Sequence, residues 1–217
     1  MKPAGLFRCL LLSVVARLAF GQSAGDLTAA NLLLDVDLLI NVDSGISQGN
    51  DLAKLNIVEF FDLECPNSAD YAGRTFPLVL EEYVKTGKIR YVALNFPIEK
   101  LHPNATKAAE MGVCAAEQGK SWEARDRLLQ NPVMLDTAAL GMDRGKFQSC
   151  LDSGRAAAIV KSSLAEGRRL KIPGTPSFYF GYADPAERSK VHAVKLLIGT
   201  QSFDVFKELI GEFLKGP

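Results

Sequence analysis

The sequence predicts an α/β fold interrupted by a block of helices. Three observations predict it. Residues 55–63 and 88–95 are apolar runs of strand length separated by one helix-length segment, the pattern of a βαβ unit, whose crossover is right-handed by default. A long stretch of helical periodicity follows, at about residues 101–171. Two further strand-like runs, 175–182 and 191–198, and an amphipathic helix then close the chain.

Taken in order, each element rests on a local signal. Lys2 and Arg8 precede an apolar run at residues 9–20, and Ala19-Phe20-Gly21 sets small residues at the two positions a signal peptidase reads. The expectation is a signal peptide over 1–21 and export to the periplasm or beyond the cell. Arg17 interrupts the run, and a membrane anchor needs a longer one without charge. Residues 22–37 form an N-terminal lead, and the domain occupies 38–217. Residues 35–42 (DVDLLINV) read as a first strand, and 43–51 (DSGISQGND) as a loop rich in turn formers. In 55–63, Leu55, Ile57, Val58, Phe60, Phe61 and Leu63 read as a buried strand of a mixed or parallel sheet. Pro66 sits where a helix takes its first turn, and the helix reaches to about residue 85 with a kink expected at Pro77. Gly87 closes it and 88–95 is the next strand.

The insertion reads as four helices. Pro103 opens one, Ser121 caps the second, Asp143 caps the third, and the fourth covers 155–170 after Gly154. In the final helix, 202–214, Phe203, Phe206, Leu209, Ile210 and Phe213 share one face.

Composition narrows the function. A chain of 217 residues with 47% hydrophobic content supports one medium domain with its own core. Lys and Arg together number 25, as do Asp and Glu, and neither a basic stripe nor an acidic tail stands out, so nucleic acid and bulk electrostatic membrane binding are not expected. The histidines, His102 and His192, are not spaced with acids or cysteines as a metal site requires, and no glycine-rich phosphate loop follows a strand. No cofactor is expected.

The chemistry concentrates at Cys65, in the order Cys-Pro-Asn-Ser. A cysteine at a helix N-terminus meets unpaired backbone N–H groups, which favour the thiolate, its nucleophilic form. Ser68 is three residues on and shares the first helical turn. Its hydroxyl can donate a hydrogen bond to the sulfur but cannot form a disulfide. Direct dithiol oxidation by this pair is therefore excluded.

The segments VEFFDLECP (58–66), LHPNATKAA (101–109), CAAEQGKSWEARDRLL (114–129), GTPSFYF (174–180) and LIGTQSFDVFKELI (197–210), in this order, resemble the DsbA-like thiol–disulfide oxidoreductases. The resemblance runs over about residues 38–214 and implies a thioredoxin fold with a helical insertion. Its one clear departure is Ser68, which stands where the family has its second active-site cysteine. By the resemblance Pro176 is cis and lies across from Cys65, leaving the Thr175 backbone to pair with an extended client. Pro66, Asn67, Thr175 and Pro176 then form the client-binding surface. The resemblance also matches Glu59 to the family's buried acid behind the active site, a catalytic role beside Cys65 and Ser68. The residues alone leave a solvent-facing strand-edge carboxylate equally open. Glu64 is expected to face solvent, His102 to cap or pack at the start of the insertion, and Trp122 to sit in its core.

Cysteine arithmetic completes the picture. With Cys9 removed in the leader, Cys65, Cys114 and Cys150 remain. In an oxidising compartment the simplest pairing is Cys114 with Cys150, leaving Cys65 free, and such a bond stabilises by roughly 2–4 kcal/mol. The other arrangement is two reduced core cysteines. Two functions fit. One is a monothiol exchange protein acting on protein thiols and disulfides, resolved by glutathione or another small thiol, with a quinone-linked membrane oxidoreductase as the family's usual partner. The other is a client-binding or chaperone protein whose redox site has decayed.

Overall fold

The strand β3 (Leu55–Phe61) is buried at all seven positions and forms the centre of the sheet. A computed structural model describes residues 32–215, and the leader expected over 1–21 lies outside them. Six strands, β1 (Leu33–Asn41), β2 (Ile46–Gly49), β3, β4 (Ile89–Asn95), β5 (Ser177–Ala183) and β6 (Lys190–Ile198), pair in the order β1-β6-β5-β3-β4-β2. β3 and β4 are parallel, with Val58 opposite Val92, and the other neighbours are antiparallel. A buried central strand needs apolar residues on both faces, which is why this run shows no alternation. Its period of two still sorts the side chains. Leu55, Ile57 and Phe61 enter the larger core with Tyr71, Phe76 and Phe206. Val58 and Phe60 enter the second, with Phe96, Leu170 and Tyr179. Glu59 shares the parity of Ile57 and Phe61 and so points into the larger core.

The helices are α1 (Pro66–Arg74), α2 (Phe76–Val79), α3 (Ala105–Ala116), α4 (Ser121–Gln130), α5 (Arg144–Asp152), α6 (Arg155–Arg169) and α7 (Phe203–Lys215). α7 buries Phe206, Leu209 and Ile210. Phe206 lies 4.9 Å from Phe178 of β5 and 5.3 Å from Tyr71 of α1, ring to ring, so α7 and α1 lock onto the same strand. α3 to α6 all lie between β4 and β5, and Cys114 of α3 is bonded to Cys150 of α5.

Four local expectations need correction. The helix from Pro66 is not one bent rod. α1 stops at Arg74, Thr75 intervenes, α2 carries Pro77 in its first turn, and a π turn (Leu80–Val84) finishes the segment. Pro77 has no N–H to give the carbonyl one turn back, so the ladder breaks there. The loop at 43–51 contains β2, a four-residue edge strand with one β-branched residue. It forms because β4 offers an open antiparallel edge, which no local pattern announces. Ser121 is the first helical residue of α4 and makes no cap, the N-cap being Lys120. α3 starts at Ala105, two residues after Pro103. Asp143 does cap α5, its carboxylate accepting the Lys146 N–H at 2.9 Å.

Candidate active site

Cys65 is the N-cap of α1, in an extended backbone conformation, with Pro66 at the first helical position. The turn that delivers it is short. The Cys65 N–H donates to the Asp62 carbonyl at 3.1 Å, and the Ala69 N–H donates to the Cys65 carbonyl at 3.1 Å. Cys65 is 7% exposed as a residue, and its sulfur faces inward. It donates to the Thr175 carbonyl at 3.3 Å, across a sequence separation of 110 residues. The Thr175–Pro176 peptide bond is cis. Cys65, Thr175 and Pro176 therefore meet at one point, where the end of β3 approaches the start of β5. The Thr175 carbonyl, expected to be open to a client, is engaged by the thiol. Pro66 and Asn67 are exposed beside it, and the Asn67 carbonyl accepts from the Thr200 hydroxyl at 2.8 Å.

Ser68 is fully buried. Its hydroxyl accepts the Asp62 N–H at 3.4 Å instead of serving the sulfur. The possible Ser68-to-Cys65 hydrogen bond is not formed; Ser68 instead satisfies the buried Asp62 N–H.

Glu59 is fully buried. Nη2 of Arg125, from α4, bonds both its oxygens at 3.0 and 2.7 Å, and the Tyr91 hydroxyl donates to Oε2 at 3.0 Å. The Tyr71 and Tyr91 hydroxyls are 3.1 Å apart. Since Tyr91 spends its hydrogen on Glu59, Tyr71 is the donor between them. Burial pushes Glu59 above the usual carboxylate range against the pull of Arg125 and the Tyr91 bond. Burial also lifts both tyrosines well above their ordinary value, and the nearby Glu59 charge adds to it. Burial opposes the Arg125 charge, but Glu59 and the tyrosines more than offset this and hold it protonated. Rings surround the guanidinium, with Phe61 and Phe76 each 5.0 Å away and Trp122 5.5 Å away. Trp122, half-buried, thus stacks on Phe76 of α2 instead of filling the interior of the insertion.

A second acidic group lies closer to Cys65 in sequence and bonds its turn. The Asp62 carboxylate accepts the Glu64 N–H at 2.8 Å, the Ile98 N–H at 2.8 Å and His102 Nδ1 at 2.9 Å. Glu64 does not simply face water. It is half-buried and accepts both the Asn104 N–H and Nδ2, at 2.6 and 2.8 Å. It therefore serves as a borrowed cap for α3, whose own N-cap Asn104 makes no side-chain cap bond. Among the described residues no group of three or more His, Cys, Asp or Glu side chains is placed to hold a metal ion. None of their helices is long and apolar enough to cross a membrane.

A family profile described as Thioredoxin matches residues 41–198. The chain belongs to the thioredoxin family. Its relatives include a Salinispora tropica "Na(+)/H(+) antiporter NhaA 3", 32% identical over 184 residues. That match covers 81% of this chain, and the chain spans only 28% of the antiporter's length. A Bacillus anthracis "Probable disulfide bond formation protein D" is 25% identical over 147 residues, covering 61% of this chain and 68% of the relative. A crystallised variant of Wolbachia pipientis alpha-DsbA1 superposes with a TM-score of 0.67 at 19% identity, covering 87% of this chain and 96% of that one. The DsbA-like form of the thioredoxin fold follows from that superposition.

In this thioredoxin-family protein, inspection of the sequence missed Arg125 and Asp62. A signal existed for Arg125. It lies three residues after Trp122 and three before Leu128, on the stripe of α4 that also buries Ala124. Asp62 had none, because its partners Ile98 and His102 come from a distant loop.

Proposed function

We propose that this chain is an exported, DsbA-like monothiol protein of thiol–disulfide exchange. The Cys65 thiolate attacks one sulfur of a client disulfide. A Cys65–client disulfide forms, and the client's other sulfur leaves as a thiolate. When a client thiolate attacks in return, the client is shuffled with no net oxidation or reduction. When glutathione or another small thiol attacks instead, Cys65 is released, and a second small thiol completes reduction of the client with formation of the small-molecule disulfide. Clients are proteins carrying thiols or disulfides. A quinone-linked membrane oxidoreductase would engage this site only through a mixed disulfide on Cys65. Glu59, fully buried, supplies an acid for proton movement, as the family resemblance implies.

The observation that carries this reading is the contact of Sγ with the Thr175 carbonyl at the cis bond. It sets the nucleophile beside a backbone segment against which an extended client can lie. The disulfide-bond-formation name of the Bacillus relative supports the same class of chemistry. One observation favours client binding without turnover, namely that Cys65 is a buried residue. Refolding of scrambled ribonuclease in a glutathione buffer separates the two. Wild type should accelerate recovery and Cys65→Ala should abolish the effect, with a Cys65–client adduct visible by mass spectrometry. Equal behaviour of the two proteins, with no adduct, would transfer the assignment to client binding.

A further inference from the structure

The turn that presents Cys65 is not held by its own hydrogen bonds alone. Asp62 contributes five groups or contacts to it. Its carbonyl takes the Cys65 N–H, its N–H goes to Ser68, and its carboxylate takes the Glu64 N–H, the Ile98 N–H and His102 Nδ1. Glu64 then grips Asn104. The carboxylate of Asp62 is wholly buried, while the His102 ring is 16% exposed. Two loops distant in sequence, 62–65 and 98–104, are thereby sewn together one residue away from the sulfur. The helical insertion begins directly after the second loop, at Ala105.

We propose that Asp62 and His102 form a positioning pair for Cys65, and that this pair sets the rate at which the sulfur reacts. This inference rests on the exchange reading only for its biological purpose, since reactivity of the sulfur can be read by itself. Three donors meet the two oxygens of Asp62 here, and two of them, Ile98 N–H and His102 Nδ1, share Oδ2. Losing the His102 donor leaves Oδ2 with one partner fewer and frees the 98–104 loop to shift. Because Asp62 bonds Cys65 through the same residue's carbonyl, a shift reaches Sγ through a single turn. His102 turns Nδ1 toward the Asp62 carboxylate, so Nδ1 carries the hydrogen in this contact. The charged groups contacting this junction are Asp62 and Glu64, with Glu99 and Lys100 exposed on His102's own loop.

The experiment is the rate of Cys65 alkylation by iodoacetamide in native protein, with folding checked by urea denaturation. His102→Ala should slow it measurably while the protein stays folded, because the loop that anchors the Cys65 turn has lost one of its bonds to Asp62. His102→Asn, whose amide can donate in place of Nδ1–H, should restore most of the rate. A pair that merely stabilises the fold predicts a lower urea midpoint with an unchanged alkylation rate, and that result would overturn the inference. So would a wild-type sulfur that does not alkylate at all, since there would be no reactivity to set. Failure of the exchange reading would appear separately, as normal alkylation without client adducts.

Discussion

Glu59 and Arg125 are two charges placed where neither would survive alone. Each lies at zero or near-zero exposure, and their mutual hydrogen bonds replace the water they lost. Removing one partner of a buried pair costs about 3–5 kcal/mol, because the other is left uncompensated. The two single variants should nevertheless differ with pH. Glu59→Gln leaves a guanidinium that cannot shed its charge and no carboxyl to titrate, so nothing at this pair should restore its stability on acidification. Arg125→Met leaves a carboxyl that burial pushes upward with its main opposing partner gone. Its folded state then holds a proton more tightly than its unfolded state. Stability is present below the unfolded value and lost as pH rises through the folded one. Urea midpoints for Arg125→Met should therefore recover on acidification, while those for Glu59→Gln do not, and the double variant should lose less than the sum of the two. Of these residues, Glu59 and Cys65 are both legible in the sequence as candidates, Cys65 because it lies between an apolar strand and a helix-opening proline. The burial of Glu59 was not visible. Only pairing of β3 on both edges decides which way its side chain points.

The elements themselves were legible where they carry period or punctuation. The strands at 55–63 and 88–95 and the helix at 202–214 match β3, β4 and α7 within two residues. The short edge strand β2 and the break at Thr75 were not legible as such, because both depend on backbone partners. The same dependence makes β5 vulnerable at Gly181. There the register with β6 shifts, and an added Cβ would lie 2.1 Å from the His192 carbonyl oxygen and 2.7 Å from Ala193 Cα. Those are backbone atoms of the neighbouring strand and cannot swing aside. Gly181→Ala should cost about 1–3 kcal/mol or more, read as a lower urea midpoint with an unchanged slope. Because β5 begins directly after Pro176, the same variant should also disturb the contact between Cys65 and Thr175.

At the scale of the whole molecule, the site is made from two ends of the fold. Residues 59–68 bring the acid, the sulfur and the helix start, and 174–176 bring the cis bond, with the insertion between them in sequence. Sequence motifs named both halves, but their meeting at 3.3 Å belongs to the sheet order, with β5 set against β3. The insertion adds Arg125 and the bond between Cys114 and Cys150, which leaves Cys65 as the free cysteine among the described residues. A lone sulfur has a consequence in the law of mass action. Its exchange with glutathione disulfide releases one glutathione, so the modified fraction depends on the simple ratio of oxidised to reduced glutathione. A protein that closes an internal disulfide releases two, and its oxidised fraction depends on the reduced concentration squared. Diluting a glutathione buffer tenfold at constant ratio should therefore leave the glutathionylated fraction of Cys65 unchanged by mass spectrometry, whereas a two-sulfur site would move toward its oxidised form. The protein would report the composition of its surroundings and be indifferent to their strength.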